Sequence, residues 1–503
     1  MTPVVALRLA LAGNRTDTAR VVLTALSAAL AALAALAALT VLAIPTPPGG
    51  RGANNSEQYG NALLREPGLR GGTAVALLLL AVPVLALAGQ CVRLGAPARD
   101  RRLAAFRLAG ASPGQVTVLV AVETGLAALS GTLVGLGTYL VGRVLLHRPD
   151  ARGLLPLPTD VLPSPSTIAA VVLGLPVLAG LVGVVLLRRV TATPLGVVRR
   201  IRRERAPGPW AGLLIVAGVA AYGLLVPVGR WYAARGQDPP AVLEPLLMLG
   251  GALAALVGVV VGTGWLSHTA GRLLHRWGRG PATLLAARRL TADPWAGSRT
   301  LAALLAAVIV GAGAAGLRAS MLADMTANQA IGQSFAASDD FYLNTMDLVD
   351  RAVQVAVALA AGGLVVALVE GIVARRRTYA ALVASGVPRS VIGRSVAWQA
   401  LAPAVPATVL ALAVGLLLTW TTGGRPRSYG GQTVQVCPGD AAGCADPSAL
   451  RTVWVPESVV TPELPWGQLA GVGATALAAV LVTVGVGLLF LRTSTAVEEI
   501  RTG

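Results

Sequence analysis

Long apolar runs alternate with short, arginine-containing polar segments along almost the whole chain. Ten runs approach or exceed the length of about 20 residues that a helix needs to cross the hydrocarbon core of a bilayer. The ten runs are residues 21–44, 71–92, 116–141, 167–187, 210–228, 242–266, 300–317, 352–373, 395–420 and 466–491. Helices are predicted rather than strands, because lipid offers no partner to open backbone groups and barrel strands do not form long unbroken apolar runs. The pattern predicts an all-α membrane protein with ten transmembrane helices.

The arginines predict which way these helices face. One side, which includes both terminal segments, holds 28 arginines, and the loops of the other side hold 13. Acidic residues run the other way, with six on the arginine-rich side and fifteen on the opposite side. Basic loops stay in the cytoplasm. We therefore expect a multi-pass protein of the plasma membrane with cytoplasmic N- and C-termini.

The basic residues also exclude one enzymatic role. All 41 of them are arginine, and the 503-residue chain contains no lysine. A P-loop needs its lysine to reach the terminal phosphates of ATP. We expect neither ATPase activity nor a bound cofactor in this chain, so ATP and magnesium would belong to a partner. The net charge of +18 comes from arginines in short segments between apolar runs, a pattern that membrane topology explains. No nucleic-acid partner is therefore expected.

Two segments on the cytoplasmic side repeat each other. Residues 101–116 follow the second run, and residues 376–392 follow the eighth. With Gly110 aligned to Gly386, each copy opens a short helix with a basic stretch, ends it at the glycine and begins the next span after a polar turn. Similar landmarks recur before runs 1 and 7 and after runs 4 and 10. The duplication predicts a four-span module, a central two-span pair and a second four-span module, at residues 1–205, 206–280 and 281–503.

The first copy carries a specific resemblance. Residues 101–123 read RRLAAFRLAGASPGQVTVLVAVE, which resembles the FtsX-like (MacB-type) permease domain of ABC transporters. The second copy fits less well, because Gln399 stands where Glu123 stands in the first. The arrangement of four, two and four spans resembles the ten-span BceB-type permeases. The resemblance implies two FtsX-like modules and a cytoplasmic ABC ATPase, in two copies, as the partner.

The function that this resemblance implies is coupling of ATP hydrolysis by the partner to export or extraction of a hydrophobic or amphipathic substrate such as a lipid, peptide or antibiotic. The alternative is mechanotransmission, in which the motion acts on an extracellular or sensor partner without moving cargo. The outer connections at 45–70 and about 318–351 are too short for a folded domain of typically 50 residues or more. A secondary transporter is disfavoured, because the chain lacks two equal halves and has few intramembrane acids.

The two repeated cytoplasmic helices are the predicted ATPase-docking elements, since a coupling element should be short, amphipathic and exposed. An alternative left open is that they lie on lipid head groups, with their arginines on phosphates. The residues concerned are Arg101, Arg102, Leu103, Phe106, Arg107, Leu108 and Gly110 in the first copy, and Arg377, Tyr379, Val383 and Gly386 in the second. The apolar anchors are expected to be Leu103, Phe106, Leu108, Tyr379 and Val383.

Three further features are candidates for chemistry. Glu123 lies inside the third run, where an ionisable group is costly, and is either functional or the structural partner of an arginine. Cys437 and Cys444 lie in the longest outer loop, where an oxidising exterior favours a disulfide, and no histidine accompanies them to suggest a metal. The aspartates of the connection at 318–351 are either an attractant for a cationic ligand or a solvated loop, and the solvated loop is the preferred interpretation.

Overall fold

The computed structural model of the protein describes residues 15–45, 56–66, 70–74, 76–78, 105, 108–191, 208–237, 239–240, 243–330, 339–373, 375–436 and 451–494. Nine helices within these ranges are long and apolar enough to cross a membrane, and they coincide with nine of the ten predicted runs. The second run, 71–92, is helical where it is described, at 71–74 and 76–78. The count of ten and the position of the termini stay predictions. The class of helical multi-pass membrane protein is confirmed.

The first predicted four-span module, called the first unit below, contains α1 (Arg15–Leu42), the short α2 (Ala62–Arg65), α3 (Pro113–Leu145) and α4 (Pro165–Thr191) among its described residues. The central pair consists of one span made of α5 (Ala211–Gly223) and α6 (Leu225–Ala233), and a second made of α7 (Leu243–Trp277). The second unit contains α8 (Pro281–Ala292), α9 (Trp295–Ala330), α10 (Asp339–Val373), α11 (Arg376–Ala384), α12 (Arg389–Gly423) and α13 (Trp466–Ser494).

Short strands lie between α12 and α13, where the sequence pattern predicted only a loop. Strand β1 (Arg427–Tyr429) pairs antiparallel with β4 (Ser458–Val460), and β2 (Gln432–Val436) pairs antiparallel with β3 (Arg451–Val455). Both inner strands are rich in valine and threonine, whose β-branched side chains favour extended backbone. The all-α prediction is therefore correct for the membrane part, and a small β-structure is added beside it.

Glycine allows close helix contacts in both units. In the first unit α1 packs on α3, and a Cβ at Gly131 would overlap the carbonyl oxygen of Ala25. In the second unit α9 packs on α12, and a Cβ at Gly415 would overlap the carbonyl oxygen of Ile309. Small residues let helix backbones approach closely in a membrane, where lipid tails are as apolar as leucine.

The central pair packs with the second unit. Helix α7 contacts α9 and α12, and its Ala255 and Val259 belong to one buried cluster with Leu304 and Val308 of α9 and Val480 of α13. Helices α5 and α7 and the second unit therefore share a core. The boundaries predicted at 205 and 280 are untested by this packing.

Helices α9 and α10 extend beyond the bilayer on the side predicted to be outside. Their 36 and 35 residues correspond to about 54 and 52 Å at 1.5 Å per residue, against a hydrocarbon core of about 30 Å. Arg318 of α9 forms ion pairs with Asp347 and Asp350 of α10, each with an N–O distance of 2.9 Å. The interpretation of this connection as a solvated loop was therefore wrong in its described parts, because these charges are paired across two helices.

Candidate functional site

The glycines of the two repeated turns have the same left-handed backbone conformation. Gly110 has φ +93° and Gly386 has φ +90°, a left-handed conformation that residues with a Cβ adopt at a cost. After α11, Val387 N–H donates to Leu382 O and Gly386 N–H donates to Val383 O, both at 3.0 Å. This pair of bonds is a Schellman motif, which satisfies the last carbonyl groups of a helix. Both predicted glycines therefore have the expected conformation; Gly386 follows the end of α11, whereas residues 101–104 and 106–107 before Gly110 lie outside the described residues.

The spans after the two turns begin with different caps but share a buried position soon after the start. In the first copy Ser112 caps α3, with Gln115 completing a capping box. In the second copy Pro388 holds the position before α12. Val116 and Ile392, which align in the repeat, are both 2% exposed. The turns are thus anchored on the cores of their own units.

Helix α11 is fixed to the second unit through Tyr379. This side chain is 5% exposed and belongs to a cluster with Ile372 of α10, Ile392 of α12 and Leu491 of α13. Burial raises the pKa of the Tyr379 hydroxyl, and the nearby Arg375 opposes the shift. The phenol is therefore neutral at ordinary pH, as a buried hydroxyl requires.

The docking role predicted for Tyr379 and Val383 stays a prediction, although little of the Tyr379 side chain is open to a partner. Tyr379 is buried in the unit, and Val383 packs beside the same cluster but is partly exposed. The exposed residues of α11 and its end lie on another face: Thr378, Ala381, Ala384 and Ser385. Sequence spacing alone did not separate these faces, because the short helix is amphipathic and either face can supply contacts.

The first copy exposes the aligned positions. Ala105 and Leu108 correspond to Ala381 and Ala384, and Leu108 is 90% exposed. An apolar side chain so open to solvent is available to a partner. The other candidates of this copy, Arg101, Arg102, Leu103, Phe106 and Arg107, lie outside the described residues, as does the side chain of Arg377.

A small cavity lies directly beside α11, between α8, α9, α10 and α12. Its volume is about 170 Å³, and its polar lining includes Arg289, Asp293, Arg375, Tyr379 and Gln399. Among these, Arg289 of α8 donates a hydrogen bond of 3.3 Å to the Tyr379 hydroxyl. The repeat did not reveal Arg289, since it lies 90 residues from Tyr379 in sequence. The contact joins α8 to the candidate coupling helix.

The intramembrane acid Glu123 is buried in α3, with 7% of its surface exposed. Its repeat equivalent, Gln399, donates from Nε2 to the Ser395 hydroxyl at 3.0 Å. Glu123 and Gln399 thus lie one or two helical turns inside the predicted spans that follow the two glycine-ended segments. Cys437 and Cys444 lie outside the described residues, so their disulfide stays a prediction.

The first unit carries a compact structure at its outer end, which sequence reasoning missed. We call residues 56–66 and 146–164 the outer cap. Its two segments exchange backbone hydrogen bonds, from Gly60 to Leu155 and from Leu155 to Gln58. Tyr59, which is fully buried, donates a hydrogen bond of 2.7 Å to the Asp160 carboxylate. The cap is built from two loops 80 or more residues apart, so no local pattern predicts it.

A buried arginine holds the cap to the membrane helices. Arg70 is 4% exposed and donates to the carbonyl oxygens of Ile44 and Leu64 at 3.0 and 2.7 Å, and to the Ser56 hydroxyl at 2.7 Å. Burial lowers the pKa of Arg70 from its ordinary value, while the hydrogen bonds satisfy its donors. The outer ends of α1 and of the second run are thereby tied together.

Comparison with protein families gives one match, which covers more than half of the 503 residues. The family described as FtsX-like permease C-terminal matches residues 73–195 and 352–496. The two matched segments contain Gly110 and Gly386 respectively, so each copy of the repeat carries its own match. Comparisons with curated proteins and with solved structures gave no match.

Proposed function

Because the chain belongs to the FtsX-like permease family, we propose that it is the membrane subunit of an ABC transporter that works with a separate cytoplasmic ATPase. ATP hydrolysis by that partner drives export or extraction of a hydrophobic or amphipathic substrate from the plasma membrane. In this arrangement both termini and both coupling turns lie in the cytoplasm. The proposal is supported by the arginine distribution, since the side that carries the turns holds 28 of the 41 arginines.

The observation that carries the proposal is the pair of glycine-ended turns. Each ends on a glycine in the left-handed conformation, and each leads into a buried position, Val116 or Ile392, of a membrane-spanning helix. Leu108 and Ala384 lie exposed at aligned positions. A partner that binds this face can therefore push or pull on the spans behind it.

Two turns of the same orientation fit two ATPase subunits. The copies are separated by an even number of predicted spans, so both face the same side of the membrane. ABC ATPase domains act in pairs, and a single chain with two turns offers each domain its own docking element. We infer a complex of one permease chain with two ATPase copies, with ATP and magnesium held by the ATPase, because this chain has no lysine for a P-loop.

The connection from turn to membrane is specific in the second unit. Tyr379 of α11 packs against residues of α10, α12 and α13, and Arg289 joins it to α8. Movement of α11 is thereby passed to four helices at once. Packed interfaces of this kind shift between discrete arrangements rather than deform continuously.

A second candidate function is mechanotransmission. The outer extensions of α9 and α10, paired through Arg318, Asp347 and Asp350, provide a rigid projection that an external partner can bind. The two functions differ in what stimulates ATP hydrolysis. Transport predicts stimulation by a lipid or amphipathic compound in liposomes, whereas mechanotransmission predicts stimulation by an external protein.

The proposal is tested by co-purification with candidate ATPases and by two outward-facing substitutions, Leu108→Glu and Ala384→Glu. Each introduces a charge on the exposed face and should reduce recovery of the ATPase, and the double variant should abolish it. Val459→Glu is the matched control, since Val459 is exposed on β4 at the predicted outer side. If both docking variants retain full ATPase binding, or if no ATPase binds the unaltered chain, the proposal is wrong.

A further inference from the structure

A cavity of about 530 Å³ lies beneath the outer cap of the first unit. Its walls come from α1, α3, the start of the second run and the cap, and Leu348 of α10 closes one side. Pockets that bind small molecules have volumes of about 300–1,000 Å³ and are lined mostly by apolar side chains. The cavity has both properties: its lining includes Leu33, Ala37, Val41, Leu77, Leu146 and Leu157.

The depth of the cavity is that of one leaflet. Along α1 its lining extends from Leu33 to Val41, about 12 Å at 1.5 Å per residue. The hydrocarbon core of a bilayer is about 30 Å thick, so each leaflet contributes about half of that. Since Val41 lies at the outer end of the first run, the cavity occupies most of the depth of the outer leaflet.

The cavity is polar at its outer rim. The Thr40 and Tyr139 hydroxyls hydrogen-bond each other at 2.7 Å and are mutually satisfied. Among the described lining residues, Arg143 is the one that carries a charge. Its Nε and Nη2 donate to the carbonyl oxygens of Thr159 and Asp160 at 2.6 and 3.0 Å. These bonds fix the guanidinium group at the rim through backbone carbonyl oxygens, while the Asp160 carboxylate accepts from Gln58 and Tyr59 instead.

The roof of the cavity is preformed. The cap has its own small core, in which Tyr59 and Leu64 pack with Val41 and Ile44 of the α1 end. Its second segment carries Pro156, Leu157 and Pro158 over the cavity. The hydrogen bond from Tyr59 to Asp160 and the buried Arg70 hold this roof in place. The space is therefore a built feature of the fold rather than a gap between loosely packed helices.

We propose that this cavity receives the apolar chain of an anionic amphiphile from the outer leaflet, with its phosphate or carboxylate head group beside Arg143. The inference rests on the proposed function, in which the cavity is the site where substrate first binds the permease. Water is a poor occupant, since most of the lining offers it no hydrogen bonds. An acyl or isoprenoid chain restores the dispersion contacts that an empty apolar space lacks.

Occupancy is tested on the whole chain without any ATPase. The protein is placed in nanodiscs of phosphatidylcholine doped with phosphatidylglycerol that carries a diazirine in its acyl chain. After illumination, labelled peptides should be concentrated in residues 33–41 and 138–146. Ala37→Trp fills the cavity and should reduce this labelling to the level of the surrounding lipid-facing surface. Leu26→Trp, at an exposed position of the same helix outside the lining, should leave it unchanged.

The head-group preference is tested by exchange of Arg143. Labelling by the anionic lipid should exceed labelling by diazirine phosphatidylcholine about fivefold. This ratio corresponds to about 1 kcal/mol, the attraction of one basic residue to an anionic membrane surface. Arg143→Gln should remove the preference, and Arg143→Lys should keep most of it. Arg152→Gln, an exposed arginine of the cap that does not line the cavity, serves as the control. Soluble glycerol phosphate should not compete, because it lacks the chain; full competition would assign the site to free phosphate and overturn the proposal.

Binding of a lipid chain in the cavity and a role of that lipid in transport are tested by different results. Uniform labelling of the lipid-facing surface, or labelling that Ala37→Trp leaves intact, would show that the cavity holds no lipid chain, whatever ATPase binds. If the chain labels as expected, the ATPase complex is then assayed in the same nanodiscs. Ala37→Trp should abolish stimulation by the anionic lipid, whereas Leu26→Trp, outside the lining, should retain both this stimulation and the basal ATPase activity. Unchanged stimulation would show that the lipid is a fixed structural component and would refute the role in substrate capture.

Discussion

The guanidinium group of Arg289 lies over the ring of Tyr379, 5.8 Å from its centroid, and donates a hydrogen bond of 3.3 Å to the hydroxyl. Arg289 belongs to α8, which leads into the first span of the second unit, and Tyr379 belongs to the candidate coupling helix α11. Cation–π contacts contribute about 0.5–1 kcal/mol when partly exposed. The pair is a direct route by which a force on α11 reaches α8.

We predict that Arg289→Gln and Tyr379→Phe uncouple the two helices without preventing docking. Each should lower the free energy of unfolding by about 1 kcal/mol, since one removes the cation and the other the hydroxyl, while the buried ring is kept in the second case. Substrate-stimulated ATPase activity should fall, with ATPase co-purification retained. The measurements are thermal unfolding of the chain and ATPase assays of the complex.

Arg288→Gln is the matched control for this pair, because Arg288 is the exposed neighbour of Arg289 on α8. It should behave as the unaltered protein. Equal losses for Arg288→Gln and Arg289→Gln would mean that the net charge of α8 matters and the contact with Tyr379 does not.

The coupling turns should depend on their glycines. At Gly110 and Gly386 alanine must adopt a positive φ, at a cost of about 1–2 kcal/mol, although open space surrounds both positions. We expect Gly386→Ala to weaken ATPase binding by loosening the end of α11, and Gly386→Asn to be milder because asparagine tolerates the left-handed conformation.

Gly362→Ala provides the comparison for the glycine test. Gly362 lies inside α10 with no atom near the added methyl group and no positive φ, so alanine should be neutral or stabilising there. Thermal unfolding and ATPase co-purification are measured for all the glycine variants. A Gly386→Ala protein as stable as Gly362→Ala would contradict the strained turn.

Local signals predicted the spans and the turns. A run such as 466–491 is apolar throughout, so its length alone places a helix, and α13 covers it from Trp466 to Ser494. The glycine ends of both turns were equally predictable from local rules, since a glycine after a short helix is the usual left-handed cap. These features can therefore be predicted from neighbouring residues alone.

Contacts between distant segments were not predictable from the sequence. Tyr59 and Asp160 are 101 residues apart, and neither lies in a periodic pattern, so the outer cap was missed. The inward direction of Tyr379 depends on Ile392 and Leu491, which sequence spacing does not place beside it. The cavity is even less predictable from the sequence, because its walls come from several segments that are distant along the chain.

Close packing between α1 and α3 makes Gly131 intolerant of any side chain. A Cβ there would overlap the backbone of Ala25, and backbone has little freedom to move away. We expect Gly131→Ala to lower the free energy of unfolding by about 1–3 kcal/mol through overpacking. Gly137→Ala, on the same helix with open space around it, should be neutral or stabilising. Unfolding monitored in detergent distinguishes them, and a Gly131→Ala protein as stable as Gly137→Ala would refute the contact.

The outer cap should be sensitive to alkali through Tyr59. Burial raises the pKa of this phenol above its ordinary value of 10.0, and the hydrogen bond to Asp160 acts in the same direction. A raised pKa in the folded state means that the stabilisation is complete below pH 10 and is lost as the pH rises from there towards the folded pKa. We therefore expect the unfolding temperature of the protein to fall above pH 10. The protection of residues 56–66 from proteolysis should be lost over the same pH range.

Tyr59→Phe isolates this effect. At neutral pH it should cost about 1–3 kcal/mol, because the Asp160 carboxylate loses its buried donor, and above pH 10 it should show a smaller further loss than the unaltered protein. Tyr232→Phe, on α6 outside the cap, should keep the full alkaline sensitivity. The two variants are compared by thermal unfolding at pH values on either side of 10 and by tyrosinate absorbance. If Tyr59→Phe loses stability with alkali as steeply as Tyr232→Phe does, the cap is not held by the neutral Tyr59 hydroxyl.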